Sequence, residues 1–178
     1  KDNDISENLD TFKDAGYILE ENDLVVDIDN LSKQAIEKLI TMFDIKTQYV
    51  WTDRGIHFYF KKPVGFKWRQ NICPLGFLVE YKHNSNTYAI TIKRNGKERE
   101  IVNKGIREEL PFIFQYKRGY DDLLGLEDGE GRNEALYKHK MKLGYVDGYR
   151  SILKFINWNV FSEPLEPKEF DEVARVEV

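Results

Sequence analysis

Asp27-Ile28-Asp29 closes the run Leu24-Val25-Val26-Asp27-Ile28-Asp29, whose apolar, β-branched residues predict a strand. Strand alternation puts both carboxylates on one face, with Ile28 packed behind them. Two carboxylates that close repel and desolvate one another, a cost that a bound divalent cation offsets. Oxygen-only ligands favour Mg²⁺ or Mn²⁺. Ordinary strand-end carboxylates have the same spacing, so the pair alone does not define a metal centre. Removing one of two repelling acids is expected to leave the metal-free fold as stable or more so.

Two further positions could act with these acids. His57 stands in Asp53-Arg54-Gly55-Ile56-His57-Phe58-Tyr59-Phe60, where alternation turns it, with Tyr59, away from Phe58 and Phe60. Gly55 lacks a Cβ and would let a phosphate approach the backbone closely. Glu80 lies in Leu78-Val79-Glu80-Tyr81-Lys82, and shares a face with Lys82, which sets an acid beside a base. A histidine that only packs and a plain Glu80–Lys82 ion pair are the structural alternatives.

The elements that must position these residues follow from hydrophobic period and turn chemistry. Ile5, Leu9 and Phe12 have helical spacing and stop at Gly16, predicting a short helix over 5–16. Residues 31–43 repeat Leu31, Ala35, Ile36, Leu39, Ile40 and Phe43, an amphipathic helix with Ser32 near its start. Strands over 49–52 and 56–60 make a hairpin around Asp53-Arg54-Gly55. Residues 61–76 read as a basic loop, 77–82 as a strand and 83–86 as a turn. Residues 87–93 pair with 99–102 across Asn95-Gly96. After Gly119 the pattern turns helical, over 121–126, 131–145 and 146–160, and Pro167 is placed to open a last helix. The expected class is α+β, a β-rich sheet with helices on one side, with a boundary near residue 118. His139, between two lysines on its helix, is expected to be solvated.

Composition narrows the classes. At 178 residues, 21.1 kDa and 41% hydrophobic residues, the chain can bury the core of one ordinary domain, with or without a small appendage. No apolar run nears the roughly 18 residues of a membrane-spanning helix. The start KDNDISENLD carries neither the features of a signal peptide nor an initiator Met, and the end does not taper into a polar tail, so the natural protein is expected to extend further. A lone Cys73 excludes a disulfide framework and a multi-thiolate zinc site, and fits a reducing cytosol. The net charge of −4 is uneven: 6 basic against 13 acidic side chains in 1–60, 13 against 5 in 61–118, and 8 against 13 in 119–178. A basic centre between acidic flanks suits a polyanion, although a solvated charged face has the same composition.

Order and spacing together are more specific than any one of these features. A strand ending in D-x-D (LVVDIDN, 24–30), a hairpin with G-x-H and aromatics (TDRGIHFYFKKP, 52–63) and an apolar strand with one more acid (GFLVEYK, 76–82) resemble the archaeo-eukaryotic primase superfamily. The match is to its primase-polymerase branch, found at the N-terminus of phage and plasmid replication proteins. GEGRNEALYKHKMKLG (129–144) and INWNVFSEPLEPKEFDEVA (156–174) resemble the small helical primase C-terminal domain, so the likeness covers about residues 20–175.

The resemblance implies an RRM-like primase-polymerase catalytic core over 1–118. A small helical domain over 119–178 would lead to a helicase. It implies that Asp27, Asp29 and Glu80 hold two Mg²⁺ or Mn²⁺ ions, and that His57 contacts the incoming nucleotide. Lys82, Arg54, Gly55 and Arg99, with Arg94 further off, would meet its phosphates. Many relatives have Ser where this chain has Gly55, and often Asp where it has Glu80; some carry a zinc-binding stem, of which a single Cys excludes a multi-thiolate version, so no zinc is expected. Lys61, Lys62, Lys67, Trp68 and Arg69, interleaved with Phe66, Tyr81 and Tyr88, would track template strand and stack bases. Arg132, Lys138, Lys140 and Lys142, with Tyr137 and Tyr145, would assist from the helical part. The implied activity is template-directed transfer of NTP or dNTP to a primer or first nucleotide, on single-stranded DNA in the cytoplasm of a bacterial host. A DNA-binding module without catalysis and a metal-dependent nuclease or phosphodiesterase are the alternatives. A fragment ending near 118, if it folds, is expected to extend a supplied primer and lose most de novo synthesis.

Overall fold

The computed structural model describes residues 8–175. In chain order the strands are β1 (Ala15–Ile18), β2 (Asp23–Ile28), β3 (Tyr49–Trp51), β4 (Ile56–Lys61), β5 (Gln70–Ile72), β6 (Leu78–Lys82), β7 (Ala89–Arg94), β8 (Lys97–Glu98), β9 (Ile101–Val102) and β10 (Glu108–Glu109). The helices are α1 (Lys33–Met42), α2 (Arg132–Leu143), α3 (Tyr149–Phe155) and α4 (Pro167–Ala174). The main sheet has the order β5-β6-β2-β4-β3-β9, with β10 beside the far end of β4. A second sheet has the order β1-β7-β8. The class is therefore α+β.

Strand β2 is buried along its whole length because both its faces are covered. Leu24, Val26 and Ile28 face α1, whose Ala35, Ile36 and Leu39 join them in one apolar cluster. The Ser32 hydroxyl starts that helix by accepting the Ala35 N–H at 3.1 Å. On the opposite face Val25, Val50 and Tyr59 pack against Ile90 of the second sheet and Leu19, which follows β1. Both β2 and β3 run antiparallel to β4, which lies between them. Thus β2-α1-β3 is a parallel crossover with an antiparallel strand inserted, a split β-α-β unit.

The second sheet is the main departure from the sequence reading. Residues 9–11 form only a single 3₁₀ turn, and Ala15–Ile18 is a strand paired with β7; residues 5–7 of the expected helix lie outside the described residues. Phe12 has no long apolar stripe to extend, whereas the backbone of 15–18 finds partners on β7. The Asn95-Gly96 hairpin is there but short, β7 with β8; Ile101–Val102 leaves to pair with β3. Gln70–Ile72, expected in a loop, adds an edge strand to β6. Residues 121–126 are irregular apart from a turn at 124–125, not a helix.

The helices after Gly119 share the main core. One apolar cluster runs from Leu24 through Phe58, Phe60 and Phe114 to Leu136, Phe155, Phe170 and Ala174. Pro167 opens α4 as expected, and α3 continues into a π-helical segment, Ile156–Val160. There the fully buried Asn157 accepts the Leu165 N–H at 2.8 Å and donates to the Leu165 carbonyl at 3.3 Å. His139 is buried, not solvated: its Nε2 meets the Pro74 carbonyl at 2.6 Å, and Tyr120 packs over the ring. Among the described residues, no helix is long and apolar enough to cross a membrane.

Candidate functional site

Asp27 is opposite His57 in the β2–β4 ladder and opposite Glu80 in the β2–β6 ladder. Directly opposed residues have Cβ atoms about 4.5–5.5 Å apart, so Glu80, Asp27 and His57 form one row across three strands on one face. Lys82 follows Glu80 by two and points to the same face. Asp29 lies just past the end of β2. The alternation read from each strand therefore brings together side chains 53 positions apart in sequence (Asp27 and Glu80).

These residues line a cleft of about 330 Å³ between the two sheets. Its main-sheet side carries Asp27, Asp29, His57, Glu80 and Lys82, and the β3–β4 turn adds Thr52, Asp53 and Arg54. Thr87, Ala89, Ile90, Thr91, Arg94 and Arg99 form the other wall. The sequence reading did not single out Thr52, Asp53, Thr87 or Thr91. Thr52 and Asp53 stand in the stretch TDRGIHFYFKKP without an assigned role, and the small, polar alternation Thr87-x-Ala89-x-Thr91 says nothing of a second sheet folding over the first.

Asp27 is only 5% exposed. Burial pushes its carboxyl up, but His57 and Lys82 outweigh this and hold it below its ordinary value. Lys82 Nζ lies 2.9 Å from Oδ2, and His57 Nε2 lies 3.4 Å from Oδ1 without hydrogen-bond geometry. Asp27 Oδ1 and His57 Nδ1 are thus buried atoms with no hydrogen-bond partner. Asp29 is more open and meets Arg54 at 3.5 Å.

The orphaned Oδ1, beside two further carboxylates and with oxygen as the donor, fits a hard divalent cation. As the side chains stand, no three His, Cys, Asp or Glu among the described residues form a group that could hold an ion. Like charges have instead turned to the nearest cations, Asp27 to Lys82 and Asp29 to Arg54.

Gly55 serves packing rather than access. A Cβ there would lie 1.7 Å from the Ile28 carbonyl oxygen, and the Gly55 N–H donates to the Thr52 hydroxyl at 3.0 Å. Arg54 is the cation of this turn that lines the cleft, beside Thr52 and Asp53.

The residues expected along a template lie elsewhere. Lys61 pairs in register with Asp23, at the end of β2 remote from Asp29. Lys61 meets Glu109 at 3.3 Å, Lys62 donates to Asn84 at 3.1 Å, and Lys67 sits over the Trp68 ring. Trp68 already stacks on Tyr116 at 3.9 Å, and Arg69 is exposed. Tyr81 cannot stack on a base: its side chain is in the core, donating to the Phe114 carbonyl at 2.6 Å, because it alternates with Glu80. Tyr88 is well exposed. On α2, Arg132 clamps the Glu163 and Pro164 carbonyls and Asp128, Lys138 pairs with Glu134, and Lys142 with Asp121. Lys140 is buried, donating to the Arg175 carbonyl.

No protein-family model, curated protein or solved structure matches this chain.

Proposed function

We propose that the chain is the primase-polymerase part of a replication protein, transferring nucleotides from NTP or dNTP to a primer or first nucleotide on single-stranded DNA. The observation that carries this reading is the Glu80–Asp27–His57 row, set with Asp29 in a cleft whose opposite wall presents Arg94 and Arg99. Acids on one wall and guanidinium groups on the other suit a polyphosphate carried with divalent cations. The split β-α-β unit supports an RRM-like core.

In this reading Asp27, Asp29 and Glu80 would hold Mg²⁺ or Mn²⁺, which would supply charge neutralisation for the triphosphate and for the attacking hydroxyl. Arg94, Arg99 and Arg54 bind phosphate oxygens. His57, 3.4 Å from Asp27 and lining the same cleft, is the residue that meets the nucleotide. Holding both reactants in one cleft removes the entropy of collecting them. The chain acts in a bacterial cytoplasm with a helicase as partner.

Incubation of labelled primer-template with dNTP or NTP and Mg²⁺ or Mn²⁺ should lengthen the primer, and Glu80→Gln should abolish this. Shortening of the primer would mark a nuclease instead. Pairing of Asp27 with Lys82 favours the second reading, a DNA-binding module without catalysis. Binding of the template with no incorporation under any metal would establish that one.

A further inference from the structure

We propose that Lys82 is the built-in counter-ion of the cation site: it holds Asp27 when no metal is bound, and a metal must displace it. This rests on the reading of the cleft as a divalent-cation site. Asp27 is almost fully buried, and a buried carboxylate without a counter-charge is costly. Lys82 Nζ, 2.9 Å from Oδ2, supplies that charge, whereas Oδ1 keeps no donor. The lysine is well placed to leave. Its side chain is 29% exposed against 4% for that of Asp27, and it lines the same open cleft as Arg94 and Arg99. An ion reaching Oδ1 would gather Glu80 from the neighbouring strand, and the two cations could not share one carboxylate without mutual repulsion. Lys82 then swings into the cleft, where the phosphates of a nucleotide would meet it. One ammonium thus stabilises the metal-free fold and delays metal capture until a polyphosphate is there to receive it.

Mn²⁺ binding to the whole chain, followed by electron paramagnetic resonance without nucleotide, tests this. Lys82→Met should bind Mn²⁺ about tenfold tighter than wild type, equivalent to about 1.4 kcal/mol. Arg94→Met removes the same charge from the cleft without touching a carboxylate, and should change affinity far less. Equal tightening in both variants would reduce the effect to the general field of the cleft and overturn the proposal, as would unchanged or weaker binding in Lys82→Met. A second measurement needs no variant. Acetylation of the Lys82 amine in wild type, read by mass spectrometry, should rise when Mn²⁺ is added, and a flat response would overturn displacement. If wild type binds no Mn²⁺, the cation site itself fails and this inference with it. If wild type binds Mn²⁺ but the Lys82 results are negative, only the inference fails.

Discussion

The backbone of Gly55 lies so close to Ile28 that a Cβ on the glycine would stand 1.7 Å from the Ile28 carbonyl oxygen and 2.8 Å from its carbon. Both obstacles are main-chain atoms of β2, one residue before Asp29, so no side chain can move aside. Gly55→Ala or Gly55→Ser should therefore destabilise the chain by about 3 kcal/mol, the upper range of overpacking costs, and displace Asp29 from the cleft. The denaturation midpoint of either variant checks this. A serine tolerated within about 0.5 kcal/mol, the range of ordinary surface changes, would show that the turn can open.

Asp27 and Asp29 should differ in stability although they share one motif. Asp27 is buried against Lys82 and His57, so Asp27→Asn leaves Lys82 without its counter-charge and should cost about 2 kcal/mol, near the value for a hydrogen bond to a charged group. Asp29 meets the exposed Arg54 at 3.5 Å, and Asp29→Asn should change stability by less than about 0.5 kcal/mol. This replaces the expectation that removing either acid leaves the fold as stable or more so. The Asp27 carboxyl is held below its ordinary 3.8 in the folded chain. Its contribution is thus complete above that value and lost as pH falls through the lowered one. Thermal melts of both variants between pH 3 and 7 test the contrast; equal effects would mean that the Lys82 contact is not formed in solution.

Why the site was legible and its surroundings were not comes down to strand alternation. Asp27, His57 and Glu80 each sit on a strand whose alternate residues enter the apolar core (Val26 and Ile28, Phe58 and Phe60, Val79 and Tyr81), so their common face follows from period two. Nothing local in Ala15–Ile18 or Ala89–Arg94 says that these strands form a separate sheet over that face, because this pairing joins segments more than 70 residues apart. On α2, charged letters suggested solvent. Yet Lys140 is buried, its amine lying over the Tyr137 ring and donating to the Arg175 carbonyl, and His139 reaches Pro74. A carbonyl acceptor in a distant loop leaves no trace in helical periodicity.

His139 should make stability fall in mild acid. Burial lowers its pKa from the ordinary 6.5, partly opposed by the Pro74 carbonyl. The folded chain therefore takes up a proton less readily than the unfolded one, and stability drops as pH falls below 6.5. His139→Gln keeps a donor for Pro74 and removes the titration. The difference in melting temperature between pH 7 and pH 5 should be smaller in the variant than in wild type. An identical acid slope in both would assign the loss to other groups.

Truncation near residue 118 should destroy the fold rather than separate two activities. Leu136, Phe155, Ile156 and Phe170 belong to the same apolar cluster as Leu24, Val26, Phe58 and Phe114, so deletion bares one face of the main core. It also removes Leu123, which packs on Gly76 and donates its N–H to the Gly76 carbonyl at 2.8 Å, and His139, the partner of Pro74. At about 25 cal/mol per Å² of apolar surface, exposing several of these side chains exceeds the roughly 5–15 kcal/mol that stabilises a domain. A chain ending at 118 should show no cooperative melt and should bind an apolar dye, and a sharp thermal transition in it would refute the shared core. Loss of synthesis in such a fragment would then report unfolding, not a lost initiation step. Whether α2 assists initiation must be asked in the intact chain. Lys138→Glu changes the charge of an exposed residue whose ion pair is with Glu134 on the same helix, and should shift the melt by no more than such a surface pair does. If the helical part contacts template, dinucleotide formation should fall in that variant more than primer extension does; equal rates of both in variant and wild type would leave α2 as support for the sheet alone.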